Sequence, residues 1–224
     1  MMRRLIFPIV IGFVGCAILL SLGNWQMQRL AWKEGILASI EARMTQAPVA
    51  LPVAPDPETD TYLSVTADGR ILPEELHVLV SIKQQGAGYR IISVFETEGR
   101  RILLDRGFIG LESKDAERPE TEASVIGNLH WPDEVDGYTP EPDLERDIWF
   151  ARDVPRLADA LNTEPVLIVL RQTSETNPMV TPVPVDGAGI PNDHLQYAIT
   201  WFSLAALWFG MTVYLVWRIR QRTV

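Results

Sequence analysis

Cysteine is almost absent from this 224-residue chain: the single thiol, Cys16, lies in an apolar run. One cysteine forms no intramolecular disulfide, makes no Cys-x-x-Cys pair for copper or thiol exchange, and offers no Cys-x-x-Cys-His for covalent haem attachment. Histidine is nearly as scarce, with three copies at His77, His130 and His194 and no His-x-x-x-His spacing. There is no Gly-x-Ser-x-Gly elbow, Walker loop or Gly-x-Gly-x-x-Gly turn. With 29 acidic residues, carboxylate pairs arise by chance everywhere, and none stands out as acid and base. Hydrolase, nucleotide-dependent and thiol chemistry all lack their parts, so the chain reads as a non-enzyme.

Charge is missing from two stretches, residues 5–23 and 195–217. As helices they would reach about 28 and 35 Å, against a hydrocarbon core of about 30 Å. The segments outside them hold Arg3, Arg4, Arg218, Arg220 and Arg222, five of 20 basic residues and none of the 29 acidic ones. Residues 24–193 therefore carry 15 basic against 29 acidic groups, a formal −14. Positive-inside reasoning puts both termini in the cytoplasm and the acidic loop outside, and an exported loop so acidic argues against nucleic acid. The first stretch also resembles a signal peptide in its Met1-Met2-Arg3-Arg4 start. Its apolar run is longer than a usual h-region, however, and 21–25 makes a poor cleavage site, so an uncleaved anchor is the better reading.

The expected organisation is a tail at 1–4, a first transmembrane helix at 5–23, and a juxtamembrane helix at 24–47. A proline-rich linker at 48–60 leads to a β-rich domain at 61–190. A second transmembrane helix at 194–217 and a tail at 218–224 complete it. In the first span Gly12, Gly15, Cys16, Leu19 and Gly23 fall near one helical face, where small residues admit another helix. The second span offers His194, Ala198, Trp201, Ala205, Trp208 and Thr212 at matching intervals. Beyond the first span, Leu30, Leu37 and Met44 form one row, and Trp25, Arg29, Trp32, Lys33 and Ile36 another. The second row suits lipid headgroups or, more specifically, a carboxylate-bearing ligand.

From 61 to 184 the pattern is mainly that of strands, at 61–71, 76–82, 89–95, 101–108, 123–131 and 165–172. Glu98-Gly99-Arg100 reads as a hairpin turn, and Val166-Leu167-Ile168-Val169-Leu170, continuously apolar, as a strand covered on both faces. Residues 153–162 read as a short helix capped by Asp153, with Pro155 in its first turn. The expected fold class is two transmembrane helices flanking an exported β-rich α+β domain, mainly antiparallel, with barrel-like closure as one arrangement. His77 and His130 fall in or beside strands as structural histidines. Arg90 and Arg106 share one face and meet anions or the loop's own acids.

The sharpest feature is 191–202, where a proline-broken acidic segment becomes an apolar helix. Asn192 or Asp193 is a natural N-cap, which places His194 in the first turn, at the outer edge of the hydrocarbon. An imidazole there is either a metal ligand or an interfacial hydrogen-bonding group.

Three segments together resemble the Surfeit locus protein 1 family of cytochrome c oxidase assembly factors. Leu22-Gly23-Asn24-Trp25-Gln26-Met27-Gln28-Arg29-Leu30-Ala31-Trp32-Lys33 matches the family's L-G-x-W-Q-x-x-R-x-x-W-K. The run from Tyr89 to Phe95, with Leu104-Asp105-Arg106-Gly107-Phe108, is similar to its paired strands ending in L-V-N-R-G-W; Asp105 and Phe108 replace the usual Asn and Trp. Asn192-Asp193-His194-Leu195-Gln196-Tyr197-Ala198-Ile199-Thr200-Trp201-Phe202 resembles N-N-H-x-x-Y-A-x-T-W, with Asp193 replacing Asn. The resemblance implies a non-catalytic helper that binds haem a transiently and assists its delivery to the oxidase catalytic subunit. It implies His194 as axial ligand to the haem iron, framed by Tyr197 and Trp201, with Trp25 and Arg29 beside it. Arg29 or Lys33 would receive the propionates. Haem a synthase is a further expected partner, membrane lipid surrounds the spans, and a bacterial inner membrane is the expected location. The competing reading is a haem-free scaffold that holds an oxidase intermediate through the exported domain.

Overall fold

The computed structural model describes residues 2–83, 85–176, 178–186 and 192–221, with side chains from residue 5 onward. Arg3, Arg4, Pro191 and Arg222, used above for orientation and for the helix start, lie outside the described side chains. The chain forms two compact units. One contains the described residues up to Ser39 and those from Asn192 onward; the other is Ile40–Asp186.

Helix α1 (Met2–Thr45), which belongs to the first unit up to Ser39 and to the second from Ile40, continues without a break through Gly23 and Asn24, so span and juxtamembrane segment are one element of about 66 Å. Residues 25–39, rich in Leu, Ala, Met, Gln, Lys, Glu and Arg, have the propensity to continue the helix, which a single Gly does not outweigh. Helix α4 (His194–Gln221) runs antiparallel to it. The small residues of α1 receive α4. A Cβ at Gly12 would strike Thr212, one at Gly15 the Trp208 indole, and one at Gly23 would lie 2.6 Å from the Phe202 ring. Ala198 and Ala205 are the buried residues of α4, and the Cys16 thiol lies 3.8 Å from the Ala205 carbonyl oxygen. Many of the other apolar side chains face outward, with Phe7, Phe13, Leu207 and Phe209 all more than half exposed. Both helices are long and apolar enough to cross a bilayer.

The second unit is a mixed sheet. Its strands are β1 (Val49–Ala50), β2 (Ser64–Ile82), β3 (Gly86–Thr97), β4 (Arg100–Gly110), β5 (Thr121–Leu129) and β6 (Leu167–Thr173). The order is β1-β2-β3-β4-β6-β5, and β5 also pairs with β2. Pairs β1–β2 and β4–β6 are parallel; the other four are antiparallel. The two expected strands at 61–71 and 76–82 are halves of one strand, β2, whose first half pairs with β5 and second half with β3. Its ladder with β3 shifts register between Ile71 and Glu75, where Pro73 lacks the N–H that a regular ladder needs. The β3–β4 turn has positive φ at Glu98 (50°) and Gly99 (76°), the conformation a tight two-residue hairpin requires.

Val166 and the first residues of β6 alternate between two buried clusters, which explains the unbroken apolar run. Val166, Ile168 and Leu170 join Val65, Phe95, Leu104 and Leu129; Leu167 and Val169 join Ile92, Leu103 and Trp149. Helix α3 (Val154–Leu161) covers the second cluster with Val154, Leu157 and Ala158. The Asp153 carboxylate caps it by accepting from the Arg156 N–H at 3.3 Å, and Asn162 ends it in the left-handed region.

The proline-rich segment at 48–60 is more than a linker. It contributes β1, a one-turn helix α2 (Pro57–Asp60) capped by Asp56, and the buried Leu51. Prolines bar a long central strand, yet they allow two residues to bridge β2 and one side chain to reach the core. The end of α1 is satisfied by side chains of this unit. The Met44 carbonyl accepts from Asn128 Nδ2 at 3.0 Å and from an Arg171 Nη at 2.6 Å, so this carbonyl at the helix C-terminus is not orphaned.

A candidate cofactor-binding histidine and the charged clusters of the sheet

His194 is the first residue of α4, in the turn where the Tyr197 N–H reaches the Asp193 carbonyl at 3.2 Å. Its ring meets α1: Nδ1 lies 2.7 Å from Oε1 of Gln26, which is 9% exposed. An amide oxygen only accepts, so a neutral ring in this contact would donate from Nδ1 and keep its lone pair on Nε2. Among the described residues Nε2 has no hydrogen-bond partner. A first-row metal ion or a haem iron uses such a nitrogen.

Gln26 continues the stripe Gly12, Cys16, Leu19 and Gly23, as His194 continues Ala198, Trp201 and Ala205. The periodicity that pairs the helices therefore also brings these polar groups together. Gln26 was legible in principle as the one polar residue on that stripe. Trp201 is half-buried on the same face of α4, while Tyr197 (55%) and Trp25 (51%) are open to the surroundings. The Arg29 guanidinium lies 4.2 Å over the Trp32 ring, a cation–π pair that keeps the charge at the helix surface. Lys33 is half-buried one turn further on. The structure joins His194 to Gln26 and Arg29 to Trp32; Trp25 and Tyr197 remain open flanks.

The charges of the sheet are engaged with one another. Asp105 is fully buried and accepts from Arg90 Nε at 2.8 Å, an Arg152 Nη at 3.1 Å and the Gly107 N–H at 3.1 Å. Arg106 instead meets Glu175 at 2.8 Å. Both arginines thus meet the domain's own acids, though different ones: Arg106 is the extra residue where the β3–β4 register shifts between Gly107 and Asp105. Gly107 takes φ 117°, and a Cβ there would strike the Thr181 backbone, which bridges Phe108. Only glycine fits the close approach.

His77 and His130 sit in contrasting surroundings. His77 Nδ1 is 2.6 Å from Asp147 and Nε2 is 3.4 Å from Glu75, which also takes paired bonds from Arg118. Burial pulls its pKa down, but the hydrogen bond to Asp147 and the nearby Glu75 carboxylate outweigh that and raise it to about 9. His130 stacks on Tyr62 at 5.3 Å, and its Nδ1 has no partner among the described residues. Burial, then the charge of Arg152, lowers its pKa to about 4.

The two histidines shape stability in opposite directions. Protonated His77 stabilises fully below the unfolded value of about 6.5, and this is lost as pH rises toward 9. Neutral His130 stabilises above about 6.5, and this is lost as pH falls toward 4. Each is worth up to about 3 kcal/mol. His77→Gln should flatten the alkaline limb of the full-chain unfolding profile in detergent, and His130→Phe the acid limb. Slopes unchanged from the parent protein would contradict both assignments.

Among the described residues no group of three or more His, Cys, Asp or Glu side chains is arranged to hold a metal ion. The donor set at His194 is a single imidazole, which suits a metal whose other ligands come from elsewhere, as a porphyrin supplies them.

The sequence model of the SURF1 family matches residues 13–206. A SURF1-like protein of Rickettsia felis is 31% identical over 199 residues, covering 84% of this chain and 87% of the relative. A SURF1-like protein of Rickettsia conorii is 29% identical over 223 residues, covering 95% of this chain and 91% of the relative. Surfeit locus protein 1 of Homo sapiens is 29% identical over 220 residues, covering 84% of this chain and 72% of the relative. The matched span holds the Trp25–Lys33 segment, the β3–β4 hairpin and the start of α4 together, and with this coverage the chain belongs to the SURF1 family.

Proposed function

We propose that this protein is an assembly factor for haem-copper cytochrome c oxidase, binding haem a transiently at His194 and helping deliver it to the catalytic subunit. The observation that carries this reading is the His194 ring, held through Nδ1 by Gln26 with Nε2 left as a donor. Membership in the SURF1 family supports the oxidase context, and the non-enzymatic reading accords with the lack of a nucleophile–base pair in the sequence.

α1 and α4 serve as two membrane spans, with the acidic sheet unit exported and both termini cytoplasmic in a bacterial inner membrane. The barrel-like reading of the sheet unit rests on the pairing of β5 back to β2. Haem a is cargo here. The bound haem contributes an iron that accepts one nitrogen lone pair. The protein's part is to present that nitrogen, to offer flat apolar surface at Trp201 and Tyr197, and to place Trp25 and the Arg29 and Lys33 cations near the polar edge. One neutral imidazole ligand suits a carrier that must also release. Haem a synthase is the natural donor and the oxidase catalytic subunit the acceptor.

The test is absorption spectroscopy of the full chain purified in detergent from cells with and without haem a synthesis. A Soret band that appears only with synthesis is the expected result. Protein that copurifies with oxidase subunits yet never carries haem would overturn the carrier reading in favour of the scaffold.

A further inference from the structure

We propose that Gln26 is the positioning residue for His194, fixing its tautomer and thereby choosing Nε2 as the atom that donates to the metal. The inference rests on the haem-carrier reading but concerns a different residue and a property measurable without haem.

A neutral imidazole in water samples both tautomers, and the hydrogen bond made by one nitrogen decides which nitrogen keeps its lone pair. Here the contact is specific. Gln26 Oε1 stands 2.7 Å from Nδ1, on a side chain 9% exposed, from a helix 168 residues away in sequence. A buried amide left without a partner is costly at such a site, so Gln26 and the ring hold each other. The amide carbonyl can only accept; Nδ1 therefore carries the proton, and Nε2 is unprotonated.

The choice of glutamine has a chemical consequence. Metal-ligating histidines commonly give their second N–H to a carboxylate or a carbonyl, and the acceptor tunes ligand basicity. A carboxylate would push charge onto the ring, strengthen the bond to a ferric iron and add a charge at the edge of the hydrocarbon. A neutral amide orients the ring without that gain, which matches a ligand meant to let go. The geometry is sustained by the pairing of α1 and α4 at Gly23, Cys16, Gly15 and Gly12, so the site needs both helices.

Nitrogen-15 NMR of the haem-free full chain in detergent, with His194 identified by its loss in His194→Ala, reads the tautomer directly. The expected result is a protonated Nδ1 and an unprotonated Nε2. In Gln26→Leu, close in volume but without an acceptor, Nε2 should become protonated in a large share of molecules. Gln26→Glu should restore the parental tautomer. With haem a bound and reduced, the iron–histidine stretching frequency should fall in Gln26→Leu and rise in Gln26→Glu. Haem retention should drop by about 10–100-fold in Gln26→Leu. A proton found on Nε2 of the parent, with the amide turned to donate from its NH2 to Nδ1, would overturn the proposal. So would a tautomer and a stretching frequency that ignore Gln26. If the parent protein and both variants bind no haem, the carrier reading fails, while the tautomer measurement still decides the role of Gln26.

Discussion

Replacing His194 by alanine is expected to cost on the order of 100-fold or more in haem a retention, about 2.7 kcal/mol or above. The expectation follows from the count of donors. His194 is the only histidine in α1 or α4, and its Nε2 is the nitrogen left open by Gln26. On the haem-carrier reading, removing it deletes the metal bond outright, whereas losing Trp25, Tyr197 or Trp201 removes only apolar contact. His77→Ala and His130→Ala serve as controls. Both belong to the sheet unit, where His77 is held by Asp147 and Glu75 and His130 is stacked on Tyr62. Haem content should survive in both. Equal haem spectra in His194→Ala and the parent would sink His194 as the ligand, while a parent that carries no haem at all would favour the scaffold reading.

Asp105→Ala should be the most damaging change in the sheet unit, destabilising it by about 3–5 kcal/mol. The carboxylate has no exposed surface and compensates two guanidiniums that are themselves nearly buried, 11% exposed for Arg90 and 12% for Arg152. Arg152 keeps paired bonds to Glu134 when Asp105 is gone, but among the described residues Arg90 keeps only the Val183 carbonyl as a hydrogen-bond partner, with Glu134 a more distant charge. An uncompensated buried cation is the main cost. Asp105→Asn preserves volume and an acceptor for the Gly107 N–H, and should cost less, about 1.5–3 kcal/mol. Denaturant unfolding of the full chain, followed by tryptophan fluorescence, separates the two. A loss under about 1 kcal/mol for the alanine variant would mean that the arginines find other anions.

Much of this architecture is legible residue by residue. The alternation of Val166 to Leu170 between two clusters is what an unbroken apolar strand requires, and Asp153 and Asn162 bracket α3 by local chemistry alone. The small residues at Gly12, Gly15, Cys16 and Gly23 announce a close helix neighbour, and α4 is that neighbour. Where sequence reading stops short, a local signal was overruled by distant contacts. Pro73 looks like a strand boundary, yet pairing with β3 on one side and β5 on the other carries β2 through it as a register shift. The prolines at 48–57 look like a tether, yet the space for Leu51 in the core and the edge of β2 hold that segment down.

The sequence by itself determined the two apolar helices, the acidic β-rich segment between them and the isolation of His194, because charge, hydropathy and residue scarcity are properties of the chain. The partners of polar groups were decided only in the tertiary structure. A hydrogen bond between Gln26 and His194, or an ion pair from Asp105 to Arg152, depends on directions and distances accurate to a fraction of an ångström. Those arise from the packing of whole elements and are not coded by any local pattern. The histidine was therefore visible as a candidate from the outset, while the nitrogen it offers was fixed by a glutamine on the other helix.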